Sequence, residues 1–204
     1  MACRKHFKNM QGIRLRHLPN AISAARLLCV PILVLLTYRH RESSFAGLLV
    51  AALISDIVDG AIARRFHVSS AFGALLDSIA DFSTLCVAIY GIVVFHPYVL
   101  DEHRIASTAM ISAWGLECAL ALLRYGRLSS FHTYASKVAA YLLGIFIGIL
   151  FLFGFEVWLF YLAVVTSIVG NIEEMLLLRI LPQWRTDVRG LWWVLRERRV
   201  EADT

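Results

Sequence analysis

Asp56-Ile57-Val58-Asp59-Gly60-Ala61-Ile62-Ala63-Arg64, followed after eight residues by Gly73, after three more by Asp77 and after another three by Asp81, is the stretch that decides how this chain folds. It sets four carboxylates in the most hydrophobic part of the sequence. An ionised carboxylate at membrane depth costs about 2.5–3.5 kcal/mol on insertion scales, so four together need compensating cations or water. On a helix advancing about 100° per residue, Asp56, Asp59, Gly60, Ala63 and Arg64 share an arc of about 140°, while Gly73, Asp77, Ala80 and Asp81 share one face of the next segment. Both helices therefore carry two carboxylates flanked by residues with almost no side chain.

The surroundings of this stretch are those of a membrane protein. Hydrophobic residues make up 59% of the 204 positions and the mean hydropathy is +0.67, which excludes an ordinary soluble domain and predicts an all-α polytopic membrane protein. Apolar runs near the length of about 20 residues that crosses a bilayer as helix lie at 20–38, 45–63, 74–95, 105–123, 136–154 and 157–178, predicting six transmembrane helices. Residues 1–18 alternate basic side chains with Phe7, Met10, Ile13, Leu15 and Leu18, as an interfacial helix does, and Pro19-Asn20 predicts a turn into the first span. Residues 19–180 then form one six-helix domain, and 181–204 a basic tail. In that tail Pro182 breaks the helix, and Trp184, Trp192 and Trp193 among arginines suggest a second interfacial segment. Residues 195–204 read equally well as a solvated basic end.

Charge orients the chain. Fifteen Lys and Arg residues fall on the side of the N-terminus and three, Arg39, Arg41 and Arg104, on the other, so both termini are expected in the cytoplasm. The net charge of +5 gathers at the two ends beside anionic headgroups and implies membrane lipids as partners, not nucleic acid. Cys3, Cys29, Cys86 and Cys118 lack metal-ligand spacing and read as free thiols. The first apolar run holds Arg26 without a convincing cleavage site, so it is expected to be a retained helix.

Carboxylate oxygens suit hard cations such as Mg²⁺ or Mn²⁺. Two helices joined by a short loop could hold two such ions about 3.5–4 Å apart, an arrangement that clamps a phosphate group during in-line displacement. The substrate implied is a phosphoester or diphosphate, with Arg64 placed to pair with phosphate oxygens. Helix capping, or pairing with Arg64 and Arg65, would explain one aspartate. It does not explain four at matched spacing on adjacent spans.

The pattern Asp-x2-Asp-Gly-x2-Ala-Arg-x8-Gly-x3-Asp-x3-Asp is similar to the signature of the CDP-alcohol phosphatidyltransferases, and all eight of its fixed positions are filled. Leu18-Pro19-Asn20, Arg26 and the six expected spans extend the resemblance over nearly the whole chain. The resemblance implies transfer of a phosphatidyl group from CDP-diacylglycerol to an alcohol with release of CMP, in a homodimer of the bacterial inner membrane. It implies Asp56, Asp59, Asp77 and Asp81 as metal ligands and Asp81 as the base that takes the acceptor's proton. Asp56, Asp59, Gly60, Ala63, Arg64 and Gly73 would line the CDP site. Phe82 stands where many phosphatidylglycerophosphate-forming relatives have Lys, and Leu76-Asp77-Ser78 resembles serine- and inositol-using relatives, so the acceptor stays open.

Lys137 beside Ser136 at the start of the fifth span either snorkels to the interface or, with Ser136 and Arg124, binds an acceptor that such a pocket would favour as an anion. Arg26 needs a partner, either an aspartate of the site or a lipid phosphate. Asn171, Glu173 and Glu174 either face the acceptor or cap the bundle, and His67 and His132 read as loop residues. Two other functions fit intramembrane carboxylates: transfer of a phospho-alcohol from a small CDP-alcohol to a lipid, and divalent-cation transport, against which the fixed Gly60, Ala63, Arg64 and Gly73 argue.

Overall fold

The computed structural model describes the backbone of residues 2–66, 71–126, 133–181, 188 and 190–202, and the side chains of 20–58, 73, 75–126, 133–181, 188 and 190–197. Every element among the described residues is helical: α1 (Ala2–Tyr38), α2 (Glu42–Phe66), α3 (Ala71–Phe95), α4 (Pro97–Glu102), α5 (Arg104–Tyr125), α6 (Tyr134–Phe153), α7 (Val157–Ile180) and α8 (Leu191–Ala202). Five stretches there are long and apolar enough to cross a membrane: Asn20–Tyr38, Leu75–Phe95, Arg104–Tyr125, Tyr134–Phe153 and Val157–Ile180. The protein is an all-α integral membrane protein. Each of the six expected spans coincides with a long helix. The one outside those five is α2, whose 25 residues would extend about 37 Å but include Asp56, Asp59, Arg64 and Arg65.

The expected turn at Pro19-Asn20 is not there, because α1 runs unbroken from Ala2 to Tyr38 through Pro19 and Pro31. A proline removes one backbone hydrogen bond and crowds the preceding turn, a local loss that membrane helices tolerate where neighbouring groups re-satisfy the backbone. The side chains of residues 1–19, on which the interfacial reading of the first 18 rests, lie outside the described residues. In the C-terminal stretch helix runs from Leu191 to Ala202; Val194 is buried, while Leu195, Arg196 and Glu197 are exposed and the side chains beyond them lie outside the described residues.

The chain folds as two compact units, Met1–Pro97 and Tyr98–Thr204. In the first, α1 packs along both α2 and α3, which also touch each other. Its core contains Leu33, Phe45, Leu49, Val87 and Ile92, with the rings of Phe45 and Phe95 5.4 Å apart. Small residues bring helices close where the aspartates lie: Ala52 precedes Asp56 by one turn, and fully buried Ala80 directly precedes Asp81. In the second unit α7 packs against α6, α5 and α8. Phe146, Phe155 and Phe160 form an aromatic core, with ring centroids 5.4–6.2 Å apart. At Gly170 the approach of α7 to α6 is so close that a Cβ would stand 3.2 Å from Ser136 Cα.

Ala80→Leu is expected to destabilise the protein by about 1–3 kcal/mol through overpacking, read as a lowered thermal midpoint in detergent. Ile79→Leu, one residue earlier and exposed, should leave the midpoint in place.

Candidate active site

Arg26 is the centre of the site. It lies on α1 and is only 3% exposed. Its Nη2 donates to Asp77 Oδ1 at 2.8 Å, and its Nη1 donates to both Asp56 Oδ1 and Asp81 Oδ1. One guanidinium thus joins a carboxylate of α2 to two of α3, with the fork of donors that an ammonium lacks. Ser23, one turn earlier on α1, is also buried, and its hydroxyl donates to Asp77 Oδ1 at 3.1 Å. The α1 residues at 23 and 26 lie on one helix face, as positions three apart do, and together they fix the orientation of Asp77.

The three carboxylates each offer an oxygen, and these oxygens lie within 4.8 Å of one another. Their side chains are 41%, 43% and 47% exposed for Asp56, Asp77 and Asp81, so a substrate could approach them while Arg26 stays enclosed. Among the described residues one guanidinium faces these three carboxylates, too little to neutralise all of them when ionised, and uncompensated charge within membrane helices is costly. The donor set is all carboxylate oxygen, which fits a hard divalent cation and not a soft one. Asp56, Asp77 and Asp81 therefore fit a divalent metal, with Ser23 and Arg26 holding their orientation from behind.

The remaining expected residues are distributed as follows. Asp59, Gly60, Ala63 and Arg64 continue the helical backbone of α2, but their side chains lie outside the described residues. Gly73 is half-buried in the first turn of α3, and Phe82 is exposed immediately after Asp81. In the second unit Arg124 occupies the last turn of α5 and donates to the Leu181 carbonyl at 3.2 Å, an oxygen that also accepts from Tyr125 Oη at 2.7 Å. It lines a groove with Leu120, Leu123, Met175, Leu178 and Arg179. Ser136 and Lys137 stand in the first turn of α6, whose N-cap is buried Thr133, with Thr133 Oγ1 accepting from the Ser136 N–H at 3.1 Å.

Glu173 Oε1 accepts from the Leu191 N–H at 2.9 Å, at the start of α8. Glu174 and Asn171 are half-buried on the same helix. Cys29, Cys86 and Cys118 are free thiols, while Cys3, His67 and His132 lie outside the described side chains. Ser23 and Thr133 had no part in the sequence reading. Ser23 could have been found from its spacing to Arg26, and Thr133 from its place as a hydroxyl residue just before an apolar helix.

With that geometry in view, the comparisons with known proteins agree. A sequence model of CDP-alcohol phosphatidyltransferase matches residues 16–169, and the chain belongs to that family. Similar curated proteins include the CDP-diacylglycerol–glycerol-3-phosphate 3-phosphatidyltransferase of Rickettsia typhi, 37% identical over 70 residues, 33% of this chain and 39% of the relative. The protein of that name from Pseudomonas fluorescens is 36% identical over 83 residues, 39% of this chain and 43% of the relative. A chloroplastic/mitochondrial form from Arabidopsis thaliana is 37% identical over 67 residues, 31% of this chain and 23% of the relative. The alignments thus span about two fifths of the bacterial relatives' length. No solved structure matches the chain.

If the carboxylates are shared between Arg26 and a cation, Arg26→Gln should lower the thermal midpoint of metal-free protein, since three carboxylates with oxygens within 4.8 Å of one another then repel without the guanidinium. Added Mn²⁺ should then raise the variant's midpoint by more than that of the unaltered protein. Equal shifts would show that the arginine and the metal do not share these ligands.

Proposed function

We propose that this protein transfers the phosphatidyl group of CDP-diacylglycerol to glycerol 3-phosphate, releasing CMP. The observation that carries the reading is the cluster of Asp56, Asp77 and Asp81 in a chain of the CDP-alcohol phosphatidyltransferase family. The acceptor is inferred from the names of the similar bacterial and plant proteins. Phe82 stands where many such relatives carry Lys, and the cationic contact to the acceptor's phosphate is assigned to Lys137. The balance of Lys and Arg places both termini in the cytoplasm, and family resemblance adds a homodimer in a bacterial inner membrane.

Asp56, Asp59, Asp77 and Asp81 would hold Mg²⁺ or Mn²⁺, two ions by resemblance, and a cation held there would supply positive charge opposite the diphosphate. Arg26 and Ser23 keep Asp77 aimed at the site, so its charge is not reoriented during the reaction. Gly60, Ala63 and Gly73 leave room for the nucleotide to approach the helix backbones, and Arg64 pairs with a phosphate oxygen. Ser136 and Lys137 bind the acceptor's phosphate, with Arg124 at the end of α5 as a further cationic contact.

Asp81, the most exposed of the three described carboxylates, takes the proton of the acceptor hydroxyl. The hydroxyl oxygen then forms a bond to the phosphatidyl phosphorus while the bond from that phosphorus to the CMP oxygen breaks. CMP leaves with the electron pair, and the lipid product carries the new phosphodiester.

The test is purified protein in mixed micelles with CDP-diacylglycerol, Mg²⁺ or Mn²⁺ and a panel of alcohols, reading CMP release and the mass of the lipid product. Phosphatidylglycerophosphate is expected; a different phospholipid would replace the acceptor, and metal flux into vesicles without CMP release would replace the reaction. Asp56→Asn and Asp77→Asn should lower turnover by orders of magnitude in folded protein, because each removes ligand charge at nearly constant shape. Lys137→Ala should raise the KM for glycerol 3-phosphate and leave that for CDP-diacylglycerol nearly unchanged, since a charge-assisted hydrogen bond is worth about 1.5–3 kcal/mol.

A further inference from the structure

The first turn of α6 is held from three directions. Thr133 caps it from within: its Oγ1 accepts from the Ser136 N–H, its carbonyl accepts from the Lys137 N–H at 3.0 Å, and the same carbonyl accepts from Ser136 Oγ at 3.1 Å. Gly170 of α7 presses on it at Ser136, where any side chain on α7 would intrude. The third support comes from α8, where the Trp193 ring packs on the Tyr134 ring with centroids 5.7 Å apart. Tyr134 is the first residue of α6, two before Ser136 and three before Lys137.

α8 itself is not a loose tail. Glu173 accepts its Leu191 N–H, satisfying one of the donors that a helix start leaves unpaired and setting a carboxylate at the positive end of the helix dipole. Gly190, at φ +152°, makes the turn into α8; a Cβ there would meet Glu173 Oε1 at 2.9 Å. Val194 is buried in a cluster with Ala121 of α5 and Leu177 and Leu178 of α7. Cap, glycine turn and apolar peg together fix the angle at which Trp193 meets Tyr134.

We propose that Trp193 is a positioning residue for the acceptor-binding turn of α6, so that α8, beyond the residues 16–169 that define the family, sets the affinity for the acceptor. This rests on the reading of Ser136 and Lys137 as acceptor ligands. The competing role for Trp193 is that of an interfacial anchor, common for tryptophans at membrane edges. Its neighbour Trp192 suits that role better, being 61% exposed against 38% and lying under Arg196, 5.5 Å from the ring.

Steady-state kinetics of the full chain in mixed micelles separates the two roles. An aromatic pair is worth about 0.5–1.5 kcal/mol beyond area burial, so Trp193→Ala should raise the KM for glycerol 3-phosphate several-fold, to about tenfold at most. kcat and the KM for CDP-diacylglycerol should stay within about twofold, and Trp193→Phe should restore most of the affinity. Tyr134→Ala should match Trp193→Ala, and the double variant should be no worse than either, because both remove one contact. Gly190→Ala, whose Cβ would meet Glu173 Oε1 at 2.9 Å and the Trp193 ring at 3.4 Å, disturbs the turn that sets the ring pair while keeping both rings; it should give the same phenotype and covers the case in which Trp193→Ala fails to fold. Trp192→Ala, which removes the edge contact of Trp192 on Trp193, 5.3 Å between centroids, but leaves the Trp193–Tyr134 pair, should raise the acceptor KM less than Trp193→Ala does and leave the other two constants unchanged.

An unchanged acceptor KM in Trp193→Ala, alongside a raised one in Lys137→Ala, overturns the positioning role and leaves the acceptor reading standing. Unchanged values in both overturn the acceptor reading and the positioning role with it. Equal losses in Trp192→Ala and Trp193→Ala, or a fall in kcat with both KM values altered, mean anchoring or general damage, and also overturn the proposal.

Discussion

The contact of one buried guanidinium with three carboxylates is the constraint around which the first unit is arranged. Arg26 could not be enclosed on α1 without anionic partners, and Asp56, Asp77 and Asp81 could not share a few ångströms without a cation among them. Each side therefore requires the other. The requirement fixes which faces of α2 and α3 turn toward α1, and the small residues beside the aspartates, Ala52 and Ala80, let the helices come close enough to satisfy it. Apolar packing through Phe45, Leu33 and Leu49 adds bulk stability, and because Phe45, Leu49 and Ala52 share a helical face with Asp56, packing and charge favour the same rotation of α2.

The second unit solves a different problem. Its polar groups are paired with backbone as much as with each other: Thr133 with Ser136, Glu173 with Leu191, Arg124 and Tyr125 with the carbonyl of Leu181. These bonds satisfy helix ends, where orphan N–H and C=O groups would otherwise be left in an apolar setting. They also leave Ser136 and Lys137 on a turn with little freedom. In the proposed reaction that turn presents a hydroxyl and an ammonium to the acceptor's phosphate. Preorganised groups of this kind need no rearrangement as charge moves.

Much of this was legible in the sequence. Apolar runs located the five membrane-crossing stretches among the described residues to within a few residues, because a bilayer sets both the length and the composition of what crosses it. The aspartates were legible because charge in an apolar run is expensive and helical periodicity places positions three and four apart on one face. For Arg26 the need for a partner was evident, but the choice between an aspartate and a lipid phosphate depended on a helix rotation that periodicity does not encode. Ser23 escaped notice because an isolated serine in a span is common and carries no energetic alarm. The turn at Pro19 was a local inference that the length of α1 overrode, and the docking of α8 was hidden because it depends on Val194 packing on Leu177 and Leu178 and on Glu173 accepting from Leu191, pairings that no local periodicity encodes.

Mn²⁺ binding followed by electron paramagnetic resonance on detergent-solubilised protein tests the carboxylate cluster most directly, since it reads the site without reliance on any substrate. Saturable Mn²⁺ binding is expected in the unaltered protein, strongly weakened in Asp56→Asn and Asp77→Asn, with the proteins equally folded by circular dichroism. Binding that is absent from the unaltered protein, or that survives both substitutions at full strength, would contradict a cation held by Asp56, Asp77 and Asp81.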